Sequence, residues 1–179
     1  CTVLTDLERR EYFDMLPSRK AAPLNAYLSK MPDKEKVQVV AMDLHQGFVT
    51  AIARHMPQAV RVADRYHVAR LAQNAFDQAH VEARKPLPTG ERLAMFRNRG
   101  LLALRDRRLT GAERAKVAEI LAPFPLLQAA HAAKESFLAI YEAPNKQQAS
   151  RQLSIWLAAL PAELSRYFRP LITAVSNNR

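Results

Sequence analysis

The chain has one cysteine, Cys1, and four glycines in 179 residues, and each shortage excludes a class of protein. A lone cysteine forms neither an internal disulfide framework nor a structural zinc site built from cysteines. The glycines form no Gly-x-Ser-x-Gly, P-loop or dinucleotide-binding pattern, which disfavours acyl transfer and nucleotide hydrolysis by those routes. No stretch approaches the roughly 20 apolar residues of a membrane span, so we expect no membrane partner.

Acidic residues are also scarce relative to basic ones. The chain carries 27 Lys and Arg against 17 Asp and Glu, a net charge of +10. An ordinary metabolic enzyme of this size has no need of that excess, which favours a polyanionic partner such as nucleic acid. The opening residues carry no secretory signal, and the lone cysteine suits a reducing compartment, so we expect a cytoplasmic, nucleoid-associated protein. Because the sequence opens without Met and inside an apolar-alternating run, we also expect a piece of a longer protein.

The first third of the chain has the pattern of an α/β protein. β-prone runs within residues 1–16 predict a hairpin, and apolar spacing over 21–28 predicts a short helix. Residues 37–42 are mostly β-branched and apolar, without an exposed face, which is typical of a central strand buried on both sides. A helical pattern over 48–56 then leads to a second strand over 59–63. The order strand, helix, strand predicts a parallel crossover.

Beyond His67 every segment is typical of helices. Residues 68–85 have apolar side chains on one face and predict one long helix. Thr110 and Glu113 have the spacing of a capping box, which predicts the start of a helix that ends at Leu121. The remaining helices are expected over 91–106, interrupted at Gly100, and over 126–142, 147–160 and 161–175.

Two aspartates directly follow the two predicted strands. Ligands of α/β sheets gather at the carboxyl ends of parallel strands, so Asp43 is a candidate ligand of a hard divalent cation. The alternative is that Asp43 caps the following helix. Asp64 ends the second strand, and its spacing to His67 is one helical turn, so the two side chains could share a face and bind one ion. From spacing alone, a capping aspartate with a buried, hydrogen-bonded histidine is the favoured interpretation.

Arginines are concentrated just after the α/β segment and in the helical region. Arginine is favoured where bidentate contacts to phosphate are needed, so these residues are candidate nucleic-acid ligands. The candidates are Arg65, Arg92, Arg97, Arg99, Arg105, Arg107 and Arg108. The alternative is a solvated helical face paired with Glu91, Asp106 and Glu113. The aromatic residues of the helical region have helical spacing, and we expect most of them in the core rather than as base-stacking platforms.

These motifs together resemble the catalytic core of the DDE transposases of the ISL-three insertion-sequence group. The resemblance starts from a strand ending in aspartate, followed by a helix and then by an Asp-Arg-aromatic-His-Val motif. The first pieces are Val39-Val40-Ala41-Met42-Asp43, Pro57-Gln58-Ala59 and Asp64-Arg65-Tyr66-His67-Val68. Further pieces follow in the same order, namely Asn74-Ala75-Phe76-Asp77, Arg99-Gly100-Leu101-Leu102, Leu109-Thr110, Lys134-Glu135-Ser136-Phe137 and residues 149–156. Their collinearity over nearly the whole chain is more specific than any single piece.

The resemblance implies a fold and a chemistry. The fold class is α/β, with a partial ribonuclease-H-like core over residues 1–68, made of a hairpin and a strand-helix-strand unit, followed by a large all-helical insertion over 69–179. In such enzymes three carboxylates hold two Mg²⁺ or Mn²⁺ ions for the cleavage and transfer of DNA strands at transposon ends. Asp43 matches the second carboxylate and is the implied metal ligand. Asp64 and His67 are implied as a supporting catalytic pair, with Asp64 as a ligand the alternative.

The chain also departs from the family pattern. The first carboxylate belongs to a strand before the hairpin, and the final glutamate belongs to a helix after the insertion. Asp6 and Glu163 lie outside the matching contexts. The sequence therefore predicts a transposase fragment that is inactive alone, whose intact parent binds transposon ends and target DNA as a homo-oligomer. The alternatives are a noncatalytic DNA-binding remnant or inhibitor of intact transposase and, ranked last, a helical protein-interaction module.

Overall fold

The chain folds as a mixed α/β protein in which helices predominate. The structure is a computed structural model that describes residues 1–176. It divides the chain into two compact units, Cys1–His67 and Val68–Arg179. None of the helices within the described residues is both long enough and apolar enough to cross a membrane.

The first unit opens with the predicted hairpin. Strands β1 (Thr2–Asp6) and β2 (Glu11–Leu16) pair antiparallel, with a bulge where the register shifts after Leu4. The turn is held by Asp6, whose Oδ1 accepts hydrogen bonds from the backbone N–H groups of Glu8 and Arg9 at 2.9 and 3.0 Å. A short aspartate side chain bonded to the backbone in this way is a common turn device. The hairpin prediction is confirmed.

The parallel crossover is also confirmed. Helix α1 (Ala21–Lys30) precedes strand β3 (Val39–Met42), helix α2 (Gln46–His55) and strand β4 (Val60–Ala63), and β3 and β4 pair parallel. One short 3₁₀ turn, Lys34–Lys36, lies between α1 and β3. The core of this unit lies between the two helices and the sheet. It contains Leu16, Leu24, Leu28, Met42, Phe48, Ala51, Ile52, Met56 and Ala59.

The prediction that residues 37–42 form a central strand buried on both sides is wrong. Within the described residues β3 has one neighbouring strand, β4, and they form a two-stranded sheet. Val39 is 58% exposed and its partner in register, Val60, is 62% exposed. Ala41 and Val62, which share that face, are exposed as well. An apolar run records only that burial is favourable. It does not supply the second layer that would cover the strand.

The second unit is entirely helical in the described residues. Helix α3 (Arg65–Arg84) crosses the boundary between the units. The others are α4 (Thr89–Arg97), α5 (Arg99–Ala103), α6 (Gly111–Leu121), α7 (Pro125–Ala139), α8 (Lys146–Ala159) and α9 (Ser165–Ser176). Three 3₁₀ turns, Asp106–Arg108, Ile140–Glu142 and Ala162–Leu164, lie between them. The largest fully buried apolar side chains are Phe76, Leu102, Leu127, Leu164, Phe168 and Leu171.

Local sequence rules located some helix ends in this unit and missed others. The capping box is confirmed, since Glu113 donates its N–H to Thr110 Oγ1 while its carboxylate accepts the Thr110 N–H at 2.8 Å. The interruption predicted at Gly100 is wrong, because the break falls at Asn98, whose side chain bonds back to the Ala94 carbonyl at 2.9 Å. Gly100 lies inside α5, where no special backbone conformation is needed.

Candidate functional site

The two strand-end aspartates occupy equivalent positions on neighbouring strands. Met42 and Ala63 are paired in register at the ends of β3 and β4, and Asp43 and Asp64 are the next residues. The backbone N–H of Asp64 donates to the Met42 carbonyl at 2.8 Å, which continues the parallel ladder past the last strand residue. The sheet therefore fixes both backbones at the edge where α/β folds collect ligands.

His67 lies between the two carboxylates. Its Nδ1 is 3.6 Å from Asp43 Oδ1 and its Nε2 is 3.7 Å from Asp64 Oδ2. Both distances exceed those of a hydrogen bond. The prediction that α3 starts at Val68 is wrong, because the helix begins at Arg65. This earlier start places His67 in the first turn, one turn from Asp64.

The two aspartates differ in whether they cap the helix that follows. Asp64 Oδ1 accepts the backbone N–H of Tyr66 at 2.8 Å, so this oxygen caps the start of α3. Asp43 does not cap α2, because the N-cap of that helix is His45, whose Nδ1 accepts the Gly47 N–H at 3.2 Å. Asp43 is thus left with neither oxygen committed to the backbone of a helix.

Arg19 is the residue of this site that sequence analysis missed. Its guanidinium forms an ion pair with Asp43 Oδ2. Arg19 lies between β2 and α1, next to the break that follows Pro17, and its sequence context gives no sign of a partner. Asp43 is 22% exposed and is therefore partly open to solvent. The carboxylate accordingly has an imidazole near one oxygen and a guanidinium on the other.

Three of the predicted nucleic-acid arginines are paired within the second unit. Arg105, only 18% exposed, bonds through Nε to Glu135 at 3.0 Å and through a second nitrogen to Glu142 at 3.3 Å. Arg107 pairs with the same Glu142 at 3.1 Å. Arg99 lies 3.6 Å from Asp77. Their acidic partners are therefore Asp77, Glu135 and Glu142 rather than the neighbours Glu91, Asp106 and Glu113 considered from sequence.

The other predicted arginines are differently placed. Arg97 and Arg108 are exposed and form no ion pair within residues 1–176. Arg92 is exposed and donates a long hydrogen bond of 3.4 Å to the Leu87 carbonyl. Arg65, the first residue of α3, is exposed on its side chain and has interactions of its own. Arg97 and Arg108 are thus the candidates that retain a guanidinium available to phosphate.

A second group of metal-ligand side chains lies in the helical unit. Among the residues described, Asp106, His131 and Glu135 form the one set of three whose donor atoms all lie within 4.8 Å of one another. His131 and Glu135 are one turn apart on α7, and His131 Nε2 is buried without a hydrogen bond, 3.9 Å from Asp106 Oδ1. The sequence places His131 within the helix predicted over 126–142 and gives no sign of these partners.

The charged side chains around Asp106, His131 and Glu135 make this second group part of an internal network of ion pairs. Glu135 Oε2 accepts from Arg105 Nε at 3.0 Å and from the Asp106 backbone N–H at 3.1 Å. The fully buried Lys134 lies 3.1 Å from Glu135 Oε1, donates to the Leu102 carbonyl at 2.9 Å and faces the Phe76 ring. Two cations therefore already neutralise the one carboxylate that a metal would need most, and a divalent ion would be repelled by both.

The pKa values of the network follow from burial and these contacts. Burial lowers the pKa of His131, and the Lys134 charge adds to that effect. Burial also lowers the pKa of Lys134, although Glu135 opposes it. For Glu135 burial acts to raise the pKa, but Lys134, the Asp106 N–H and Arg105 together bring it below the ordinary value. The network consequently favours a neutral His131 and an ionised Glu135.

Comparison with known proteins decides the family. The family model described as transposase, that of the DDE enzymes of the ISL-three group, matches residues 1–179. The chain belongs to this transposase family. The chain matches no curated protein and no solved structure. Family membership implies DNA as a partner and a divalent metal ion as cofactor, as members of this transposase family generally use one.

Proposed function

We propose that this transposase chain forms part of a catalytic core that cleaves and joins DNA strands with Mg²⁺ or Mn²⁺, and that Asp43 is its metal ligand. One observation carries the proposal. Asp43 stands at the carboxyl end of a parallel strand with neither oxygen used to cap the following helix. The side chains that face its two oxygens, Arg19 and His67, are both partly exposed.

The residues around Asp43 fit a hard divalent cation. Carboxylate oxygens are the ligands that Mg²⁺ and Mn²⁺ prefer, and Mg²⁺ commonly keeps several waters beside one or two carboxylates. Bound there, the ion would supply activation of the attacking water or DNA 3′-hydroxyl and stabilisation of the leaving oxygen. Asp64 fixes the start of α3, and through that helix turn it orients His67 toward Asp43. Asp64 and His67 would thereby act as a supporting pair.

The proposed architecture is a partial ribonuclease-H-like core over residues 1–68 followed by a helical insertion over 69–179. The parallel pair β3 and β4, with α2 as the crossover, supports the first part. The run of helices from α3 to α9 supports the second. Of the three metal-binding carboxylates of the family, the described residues contain a match to one, Asp43. We therefore propose that the chain alone binds metal and DNA without cutting DNA.

The test is DNA strand cleavage by the intact parent transposase, the longer protein expected to contain this chain. Asp43→Asn keeps the size of the side chain and removes its charge, and we expect it to lower metal-dependent cleavage of DNA that carries the ends of the element by about 100-fold or more. DNA binding measured without a divalent metal ion should stay within about twofold. The control is Asp14→Asn, an exposed aspartate on β2, which should cleave normally. Cleavage by Asp43→Asn at the wild-type rate would overturn the assignment.

A noncatalytic DNA-binding protein, or an inhibitor that pairs with intact transposase, is the second candidate. The net charge of +10 favours it, as do the exposed Arg97 and Arg108, which form no ion pair within the described residues. Under this alternative Asp43→Asn is silent in every assay. Removal of the two arginines would weaken DNA binding and reduce its salt dependence, whichever candidate is correct.

A further inference from the structure

Arg19 and a metal ion would need the same oxygen of Asp43. The guanidinium pairs with Oδ2, whereas the imidazole of His67 faces Oδ1. Oδ2 is therefore the Asp43 oxygen that the Arg19 guanidinium occupies. A guanidinium and a divalent ion compete for one oxygen, because the two positive charges repel at that distance.

We propose that Arg19 is a displaceable counter-ion of Asp43, which yields Oδ2 to the divalent cation and then binds a phosphate of the DNA at the same site. The inference rests on the proposed function, in which Asp43 is the metal ligand. It adds a residue that neither the family motifs nor the sequence pattern single out.

Because Arg19 is exposed, little free energy is lost when its guanidinium leaves Asp43. Its side chain is 55% exposed, and it belongs to the connection between β2 and α1 rather than to a strand or helix. Exposed ion pairs of this kind shift an equilibrium by no more than about fivefold. Within residues 1–176 the Arg19 guanidinium has no second acidic partner that would hold it in place. A divalent cation on the carboxylate therefore competes successfully.

The displaced guanidinium would remain close to the site. Its backbone is anchored near Ser18, whose carbonyl accepts a hydrogen bond from Thr2 Oγ1 on β1 at 3.0 Å. Arginine presents a planar fork of donors that matches phosphate oxygens, and an ammonium or imidazole does not. A phosphate that binds the metal ion could thus also accept hydrogen bonds from the Arg19 guanidinium, which the metal ion has displaced from Asp43.

The alternative is that Arg19 only neutralises Asp43 and has no role toward DNA. Two measurements on the whole chain separate these roles. The first is Mn²⁺ affinity, followed by electron paramagnetic resonance of the free ion. The second is the gain in DNA affinity that Mn²⁺ produces over the metal-free protein.

The variant is Arg19→Gln and its matched control is Arg9→Gln. Arg9 also pairs with an aspartate of the same unit, Asp6, at 3.8 Å and is also exposed, so both substitutions remove one paired guanidinium. We expect Arg19→Gln to bind Mn²⁺ about two to fivefold more tightly and to lose most of the Mn²⁺-dependent gain in DNA affinity. Arg9→Gln should match the wild type in both measurements.

Two results would overturn the inference. One is Mn²⁺ affinity of Arg19→Gln equal to that of the wild type, and the other is an undiminished Mn²⁺-dependent gain in DNA affinity. Asp43→Asn separates this failure from failure of the proposed function. If Asp43→Asn abolishes Mn²⁺ binding while Arg19→Gln behaves as the wild type, only the role of Arg19 is wrong. If Asp43→Asn binds Mn²⁺ normally, the metal assignment itself is wrong. Circular dichroism melts of each variant exclude unfolding as the cause.

Discussion

His67 Nδ1 lies 3.6 Å from Asp43 Oδ1, although a helix and a strand separate the two residues in the sequence. The parallel crossover brings them together, because it places the end of β3 beside the first turn of α3. The same crossover places Asp64 beside both. A site assembled from two strand ends and one helix turn is typical of α/β folds, in which the sheet holds the reacting groups and loops supply the rest.

Asp64 has two roles that one pair of substitutions can separate. Asp64→Ala removes the oxygen that accepts the Tyr66 N–H, and we expect a loss of about 1 kcal/mol in the free energy of unfolding. Asp64→Asn keeps an accepting oxygen and should lose much less. Urea unfolding followed by circular dichroism measures both. Equal losses for the two variants would show that the charge of Asp64, rather than its cap, stabilises the fold.

Glu135 should be a stability residue of the helical unit. Glu135→Gln leaves the buried Lys134 and the nearly buried Arg105 without their shared carboxylate, and removal of one partner of a buried ion pair costs about 3 to 5 kcal/mol. Glu142→Gln removes a more exposed partner of Arg105 and Arg107, and should cost less than about 1 kcal/mol. Urea unfolding of the two variants checks the contrast. Comparable losses of unfolding free energy in the two variants would show that Glu135 is not the central carboxylate of this ion network.

The stability of the helical unit should fall in mild acid. Burial, and next to it the charge of Arg84, lowers the pKa of His80. Burial and the charge of Lys134 lower the pKa of His131, although the carboxylates of Asp106 and Glu135 oppose this shift. Below pH 6.5 the unfolded chain therefore binds protons that the folded chain resists, so stability decreases as pH falls.

Each histidine can contribute a slope of up to about 1.4 kcal/mol per pH unit in that window. His80→Gln and His131→Gln should each flatten the decline of the unfolding free energy between pH 7 and pH 5. A wild-type unfolding free energy that is constant over this range would contradict the prediction.

Arginines that form ion pairs should behave differently toward DNA from Arg97 and Arg108, which form none within the part of the chain that the structure describes. Arg97→Ala combined with Arg108→Ala should weaken DNA binding and reduce the slope of log K against log salt by about 1 per lost phosphate contact. Arg105→Ala should act instead on stability, because its guanidinium lies between Glu135 and Glu142. Filter binding at several salt concentrations distinguishes them. An unchanged salt slope for the double variant would remove both residues from the DNA interface.

The sequence predicted those features that short-range rules determine. The hairpin, the crossover and the Thr110 capping box each depend on residues close together, and all three are confirmed. Burial of Val39 was predicted wrongly, since hydrophobicity does not reveal how many layers cover a strand. The partners of Arg19 and Arg105 lie far along the chain. Pairing at that distance is decided by tertiary packing, which residue spacing does not encode.

The most direct test of the account is Mn²⁺ binding by the chain and by Asp43→Asn, measured by titration calorimetry, with Asp14→Asn as the control of equal charge change. We expect the wild type and Asp14→Asn to bind Mn²⁺ with the same affinity, whereas Asp43→Asn should lose at least about tenfold in affinity, or about 1.4 kcal/mol. Equal Mn²⁺ affinity for all three proteins would contradict the assignment of Asp43 as the metal ligand.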